Sequence, residues 1–344
     1  MSKNIVGFML IAAPYSALNN AGSDAGERTE NKIFVKSIRK GKKEVYPYVS
    51  GQALRYWWRN TLENHFQWNT SPIEREEKIA YTEANPFEYD DDDVFGYMRA
   101  PKGKKGETVT RLSPLKNSPL ISVIPQYPTS DYATMSRQEF GDPVPYENEL
   151  YSTVMHGIFS LDLETVGRFQ MIYKTGYRNL TDNHLKKEKI IDSLNKSGAN
   201  KVDDFWIMPK EIRIKRTTDV IKALPFISGG ARQTLRLTDV TPKFLVLAIL
   251  NSGNHIFMNL AKNDNGKPSF SIAALEQVLT DYAEYMATDI YIARRVGFMD
   301  ELEEGLSALN GQKFGTKKVI YNTEGSFNKT VEAFTQEIAI SIPE

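Results

Sequence analysis

The run from Ile5 to Ala13 constrains the fold more than any other stretch. Apolar side chains fill both alternating sets, Val6, Phe8 and Leu10 against Ile5, Met9 and Ile11, and a strand with two apolar faces must be covered on both. The chain therefore needs a sheet that holds this strand in its interior, with packing layers above and below. Its 344 residues, 41% of them hydrophobic, can supply those layers as one large domain with insertions or as two smaller ones. The single Lys3 before the run, Gly7 inside it and the lack of a clear small-residue cleavage site favour a strand over an export signal. No other apolar run approaches the roughly 20 residues of a membrane span. The expected location is the cytoplasm, with no membrane partner. Pro14 is expected to end the strand, and Ser16 to Glu30 reads as a small, polar, glycine-containing loop of the kind that carries function.

A second stretch, Val45 to Leu62, reads as a short strand, a tight turn and a helix start. Ser50 suits the N-cap and Gly51 the turn, so the first free N–H groups of the helix face outward beside Gln52, Arg55 and Arg59 as an anion seat. Leu54, Trp58 and Leu62 recur at i, i+4 and i+8 as a buried stripe, while Arg55 and Arg59 stack one turn apart on another face, expected to meet phosphate. Read alone, the same pattern also fits an ordinary amphipathic helix with a solvated basic face.

Charge is segregated although the formal net charge is zero. Residues 28–59 hold nine basic and two acidic side chains, and residues 74–93 hold two basic and nine acidic. Such a molecule is expected to offer a positive surface to one partner and a negative one to another, a copy of itself among the candidates. The absence of cysteine excludes disulfides, thiolate zinc sites and thiol nucleophiles. The four adjacent aspartates Asp90–Asp93 invite a metal, but neighbouring side chains diverge and neither an EF-hand spacing nor a histidine accompanies them. A structural or subunit-contact role is the expectation.

Further along, Phe95 to Leu115 is a second basic element, with Arg99 and Arg111 near its ends and Phe95, Tyr97 and Met98 able to wedge against a base. Ser118 to Ile124 reads as a strand. Pro125 to Asn148 holds four prolines and no helical or strand period, an excursion too long for a simple turn. Leu150 to Leu163 reads as a strong strand with Tyr151, Thr153, Met155, Gly157, Phe159 and Leu161 on one face. Lys186 to Asn200 reads as a charged helix, Asp204 to Leu224 as a segment containing helix, and Phe244 to Leu250 as an apolar strand. Ser228–Thr234 is a glycine turn carrying Arg232, whose amides could face phosphate. Ala273 to Ala293 has helical period, and Glu337 to Ile342 alternates.

Strand, helix, strand, excursion, strand, helix, strand is the βαββαβ order of a ferredoxin-like fold, the scaffold of the RNA recognition motif. The expected class is α+β. At this level the sequence resembles the backbone subunit of the CRISPR type I surveillance (Cascade) complex, the Cas-seven family, in its type I-B DevR branch. The resemblance rests on VGFMLIAAPYSALNNAG at 6–22, YVSGQALRYWWRN at 48–60, DDDDVFGYM at 90–98, RLSPL at 111–115 and SGGARQT at 228–234.

The resemblance implies a single modified recognition-motif palm spanning 1–344, with a finger-like insertion at 65–110, a thumb-like insertion at 125–148 and a charged helical insertion at 167–202 of unassigned role. It implies copies lined head-to-tail along a CRISPR RNA, holding its backbone while its bases pair with a target DNA strand. Other Cascade subunits, the large subunit and the Cas-five and Cas-six type proteins, would complete the assembly. RNA contacts would come from Asn19, Lys36, Ser50, Gly51, Gln52, Arg55, Arg59, Met98, Arg99, Arg111, Arg137, Gly229, Gly230, Arg232 and Gln233. The thumb would push one guide nucleotide out of the duplex at intervals. No catalytic residue, cofactor or metal is expected. The rival expectation is a metal-dependent RNA-cleaving subunit of type III kind using Asp24, which has no evident metal partner or general acid beside it in sequence.

Overall fold

The computed structural model describes residues 2–22, 32–76, 79–100, 107–135, 142 and 144–343. Asp24 and Arg137 lie outside the described residues. In chain order the main elements are β1 (Asn4–Ser16), β2 (Lys32–Val35), β3 (Ser37–Lys40), β4 (Glu44–Val49), α1 (Gly51–Phe66), α2 (Asp90–Phe95), β5 (Leu120–Ser122), β6 (Thr129–Met135) and β7 (Val144–Asp162). They continue with α3 (Glu188–Ser197), α4 (Lys210–Lys222), β8 (Phe244–Leu250), α5 (Ile272–Asp281), β9 (Ile290–Arg294), α6 (Glu303–Leu309), β10 (Lys317–Tyr321) and α7 (Phe327–Ser341).

β1 lies inside a large mixed sheet, and every residue from Asn4 to Ile11 is buried. It runs antiparallel between β7 and β8, with Phe8 opposite both Ile158 and Val246. The sheet continues through β5, β4 and β3 on one side, and through β9 and the parallel β10 on the other. The molecule is thus an α+β protein built on one broad sheet. Pro14 does not stop β1. The strand reaches Ser16, with a register irregularity between Ala13 and Ser16 and Tyr15 at φ 46°, because a bulge absorbs the missing amide.

One face of the sheet packs against α1, α4 and α7. Ile5, Met9 and Ile11 meet Leu54, Trp58, Leu62, Val220 and Phe334 in a single cluster. Trp58 is fully buried, sits edge-on to Phe159 at 5.2 Å, and donates its indole N–H to the Val220 carbonyl at 2.9 Å. A Cβ on Gly7 would stand 2.1 Å from the Phe159 ring, so only glycine admits that ring. The opposite face packs against α5 and α6, where Phe8, Phe244 and Phe270 stack with Leu279 and Leu306. Each such side chain contributes about 1.5–3 kcal/mol when fully buried, so both faces of β1 are anchored by the alternation that its sequence carries.

Several expectations change. The described residues of 125–148 lie largely in a β-ribbon: β6 pairs with the first part of β7 from Thr129 opposite Leu150 to Met135 opposite Val144. The β-branched and aromatic residues Thr129, Tyr132, Thr134 and Tyr146 favour strand, and Pro145 sits within the ribbon without breaking it, as edge positions allow. The segment expected to be helical to Ala293 leaves α5 at Asp281 and becomes β9. The alternation at Glu337–Ile342 is the last turn of α7, capped by Ser326, whose side chain accepts from the Lys329 N–H. Residues 168–207 form α3 together with a three-stranded sheet of Arg168–Gln170, Asn200–Val202 and Phe205–Ile207, around a small core of Phe87, Phe169, Leu180, Ile190 and Met208.

Candidate nucleic-acid interface

Three loops meet where β1 ends. The Asn19 side-chain oxygen accepts from the Ser50 N–H at 2.8 Å, and the Asn19 carbonyl accepts from the Lys36 N–H at 2.8 Å. Tyr48 N–H then donates to the Lys36 carbonyl at 2.9 Å, which ties β4 to the same point. The Ala231 N–H donates to the Leu18 carbonyl at 2.9 Å, and the Leu18 N–H donates to the Tyr151 hydroxyl at 3.2 Å. Asn19, Lys36, Ser50, Gly51, Gln52 and the turn from Gly229 to Gln233 therefore share one surface.

Local chemistry explains why the surface is rich in unused donors. Ser50 Oγ accepts from the Ala53 N–H at 3.2 Å, while the Gly51 and Gln52 N–H groups have no acceptor among the described residues. Those amides and the positive end of the 16-residue α1 point to one place. Across from it, Gly229 (φ 152°) and Gly230 (φ 104°) thread beside Trp57 and Leu18, where a Cβ would stand 2.3 Å and 2.7 Å from side-chain atoms. Arg232 follows in the left-handed region at φ 60°, and Gln233 closes the turn by donating to the Gly229 and Thr238 carbonyls. Trp57, which sequence reasoning passed over, is the ledge under this turn. Its place next to Trp58 was the available signal.

The arginines behave differently, and Arg55, expected on the basic face of α1, turns inward. Arg55 Nη1 donates to the Leu115 carbonyl at 2.7 Å and to Asn117 at 3.2 Å, and its Nη2 donates to the Phe95 carbonyl at 2.9 Å and to Ser113 at 2.8 Å. Four of its five donors are thus used internally. Burial, then repulsion from Arg59, pushes its pKa down to about 10, so it stays charged at neutral pH. Arg59 lies 3.3 Å from Asp91 and over the Phe95 ring at 4.6 Å. Arg99 pairs with Glu74 at 2.9 Å and donates to the Thr82 carbonyl at 3.0 Å. Arg111 is buried, stacked on Phe169 at 4.7 Å, and bonded to Asp93, Asn179 and the carbonyls of Thr165 and Arg168. A guanidinium saturated by protein acceptors has little left for phosphate.

The aspartate run supplies much of that saturation. Asp93 accepts from Arg111, from Arg216 at 2.8 Å and from the Gly167 N–H at 2.9 Å. Asp90 accepts from Arg216 at 2.7 Å, and Asp91 from the Ser71 N–H at 2.8 Å. Asp92 accepts from the Asn85 N–H at 2.8 Å, and burial followed by the Asp91 charge pushes its pKa up to about 7. α2 is therefore an internal hub joining α1, α4 and the 168–207 unit. The acidic half of the charge segregation is largely consumed inside the molecule. Among the described residues no group of three or more metal-capable side chains is gathered for an ion.

Two features had no sequence signal. Arg236, just beyond the glycine turn, pairs with Asp131 on β6. Tyr15 and Tyr56 are exposed at 74% and 64%. Met98 is also exposed, on the short strand Tyr97–Arg99 away from the turn.

Comparison with known proteins follows this geometry. A chain of a solved structure described as a CRISPR RNA-guided surveillance complex aligns at TM-score 0.51 and 11% identity, covering 97% of this chain and 98% of that one. A second, described as a CRISPR RNA-guided surveillance complex, pre-nicking, aligns at TM-score 0.52 and 10% identity, covering 97% and 100%. At such identities the likeness is one of fold. No curated protein matches the sequence. Residues 9–263, which contain β1 from Met9 onward, α1, the aspartate hub and the glycine turn, match the family described as CRISPR-associated negative auto-regulator DevR/Csa2, and the chain belongs to that family.

Proposed function

We propose that this protein is a non-catalytic backbone subunit of a type I-B surveillance complex, which polymerises along a CRISPR RNA and holds the guide backbone while its bases pair with a target DNA strand. The carrying observation is the convergence of the loop after β1, the capped start of α1 and the Gly229–Gln233 turn on one surface with unused backbone donors. Amides and single cations bind phosphates without reading sequence, which leaves specificity to base pairing, as RNA-guided systems require. Family membership and the surveillance-complex folds support the same reading.

In this proposal β8, β1, β7 and β5, which neighbour one another antiparallel in that order, form the ferredoxin-like palm. Residues 65–110 form the finger, the β6–β7 ribbon within 125–148 the thumb, and 167–202 an inserted unit on one domain spanning 1–344. Phosphate contacts come from Ser50, Gly51, Gln52, Gly229, Gly230, Arg232, Gln233, Lys36 and Asn19. Met98 lies near guide bases. Arg55 and Arg111 act as internal braces. Copies contact one another head-to-tail, and a contact that does not close builds a helical filament. Large, Cas-five and Cas-six type subunits complete the particle in the cytoplasm.

Co-expression of the chain with a guide transcript tests this reading. Nucleic acid of uniform length should travel with the purified protein, be sensitive to ribonuclease, and elute progressively as salt rises. A protein that emerges free of RNA under low salt would overturn it.

A further inference from the structure

The 168–207 unit carries a feature that no role above absorbs. Its turn from Ile172 to Arg178 displays Tyr173 at 84% exposure, next to Met98 at 67% and Leu112 at 59%. Large apolar side chains are often exposed singly, as Leu237 and Val296 are here, but grouped together they mark a contact surface. Met98, Thr108, Tyr173, Lys174, Thr175 and Arg178 line a cavity of about 420 Å³, within the range that takes one small ligand or nucleotide.

This turn is braced from below. Gly176, at φ 83°, rests on Leu112 so closely that a Cβ would stand 2.6 Å from its Cγ. The Leu112 N–H donates to the Gly176 carbonyl at 3.1 Å, the Gly176 N–H to Thr110 Oγ1 at 2.8 Å, and the Thr110 N–H to the Arg178 carbonyl at 2.8 Å. Asn179 bonds the Thr110 carbonyl at 2.9 Å and is itself held by the buried Arg111. The exposed ring therefore stands on a fixed base. Arg178 covers one face of Tyr173 at 4.5 Å and pairs with Glu107 at 3.1 Å. The ring's exposure leaves its other face to solvent. Lys174 is exposed, lies 4.8 Å from the Tyr177 ring, and has no carboxylate partner among the described residues.

We infer that this turn is a second nucleic-acid contact, in which a nucleobase of a single strand stacks on Tyr173 inside the cavity while Lys174 takes the adjacent phosphate. An open aromatic face flanked by a cation is the element that binds single strands without sequence preference. Thr108 and Thr175 offer hydroxyls to the base edge or sugar. The inference rests on the proposed role in holding a single strand, and assigns to the inserted unit the task of touching that strand or the one paired with it.

The protein, its Tyr173→Ala and Tyr173→Phe variants, and the Lys36→Ala/Arg232→Ala double variant can be titrated with short labelled oligouridine RNA and oligothymidine DNA. Parallel samples with photoreactive thio-substituted bases locate the contact by mass spectrometry. Tyr173→Ala should weaken binding roughly tenfold, the usual effect of removing one stacked base, with its melting temperature unchanged. Tyr173→Phe should stay within about twofold, and the cross-link should fall on the Ile172–Arg178 peptide. Loss on the RNA arm alone names the guide, and loss on the DNA arm alone names the target strand. Parental affinity in Tyr173→Ala, or cross-links confined to the Gly229–Gln233 turn, would overturn the inference while leaving the surface at the end of β1 intact. Loss in Tyr173→Ala with full binding in the double variant would support the platform and break that surface instead. Absence of binding to either strand by the parent would sink both.

Discussion

The surface at the end of β1 and the aspartate hub around α2 invert what their sequences advertise. The hub is crowded with charge, yet Arg55, Arg99 and Arg111 spend their donors on carbonyls and carboxylates within the protein, and Arg59 lies beside Asp91. The β1 surface is poor in arginine, yet Gly51 and Gln52 keep their amides free and Gly229 to Arg232 present a turn in unusual backbone conformations. Phosphate is found by unsatisfied donors, and counting cations does not locate them. A buried, fully bonded arginine is a structural strut, and it is the unbonded N–H groups on which the proposed phosphate contacts draw.

Breaking the hub should have the largest effect. Arg111→Ala leaves Asp93 with less compensation at a fully buried position, and removing one partner of a buried pair costs about 3–5 kcal/mol. Thermal or denaturant unfolding should show this loss, together with disorder of the 168–207 unit by hydrogen exchange. Weakened RNA binding without loss of stability would instead make Arg111 a phosphate contact.

A second test uses pH. Asp92 has a folded pKa raised to about 7, above its unfolded value, and Asp91 is raised as well. These two carboxyls hold protons in the native state that the unfolded chain has lost between about pH 4 and 7, so their share of the stability falls as pH rises through that window, by at most about 1.4 kcal/mol for each pH unit and each proton, against the opposite contribution of His156, His184 and His255, whose pKa values burial lowers. Asp92→Asn, which keeps an oxygen for the Asn85 N–H, should remove this residue's share of the dependence, so that it gains on the parent steadily toward pH 8. Parallel curves for the two proteins would show that Asp92 is paired better than its surroundings suggest.

The finest test sets one arginine against another. Arg55→Ala strands several acceptors, each worth about 1–3 kcal/mol if buried, and should lower the melting temperature while leaving the salt slope of RNA binding unchanged. Arg232→Ala should leave the melting temperature alone and reduce that slope by about one phosphate contact. The opposite pattern would restore the basic face of α1 as the seat.

What could be read in advance follows from how local each signal is. Double-sided apolarity at Ile5–Ala13, the Leu54–Trp58–Leu62 stripe and the Ser50 cap are written in neighbouring residues, and each recurs as expected. The inward turn of Arg55 and Arg111 depends on acceptors 18 to 68 residues away, which no window reveals. The β6–β7 ribbon was hidden because prolines obscured its alternation, and α7 because Ile338, Ile340 and Ile342 imitate a strand over its last turn. Trp57 and Trp58 stand side by side in sequence, yet one floors the glycine turn and the other fills the core.

β7 has one more property. Its 19 residues run unbroken from the ribbon, where Val144 faces Met135, to the heart of the sheet, where Phe159 faces Gly7, a length of roughly 60 Å at strand spacing. A rod clamped along half its length cannot swivel at its root: tilting the outer half would unzip the register with β1 and empty the pocket that Gly7 keeps for Phe159. The arm's reach is thereby set by covalent geometry and is not free to relax. In a stack of copies every arm would mark off the same interval, so that the assembly measures length as a gauge does, by repeating one stiff part.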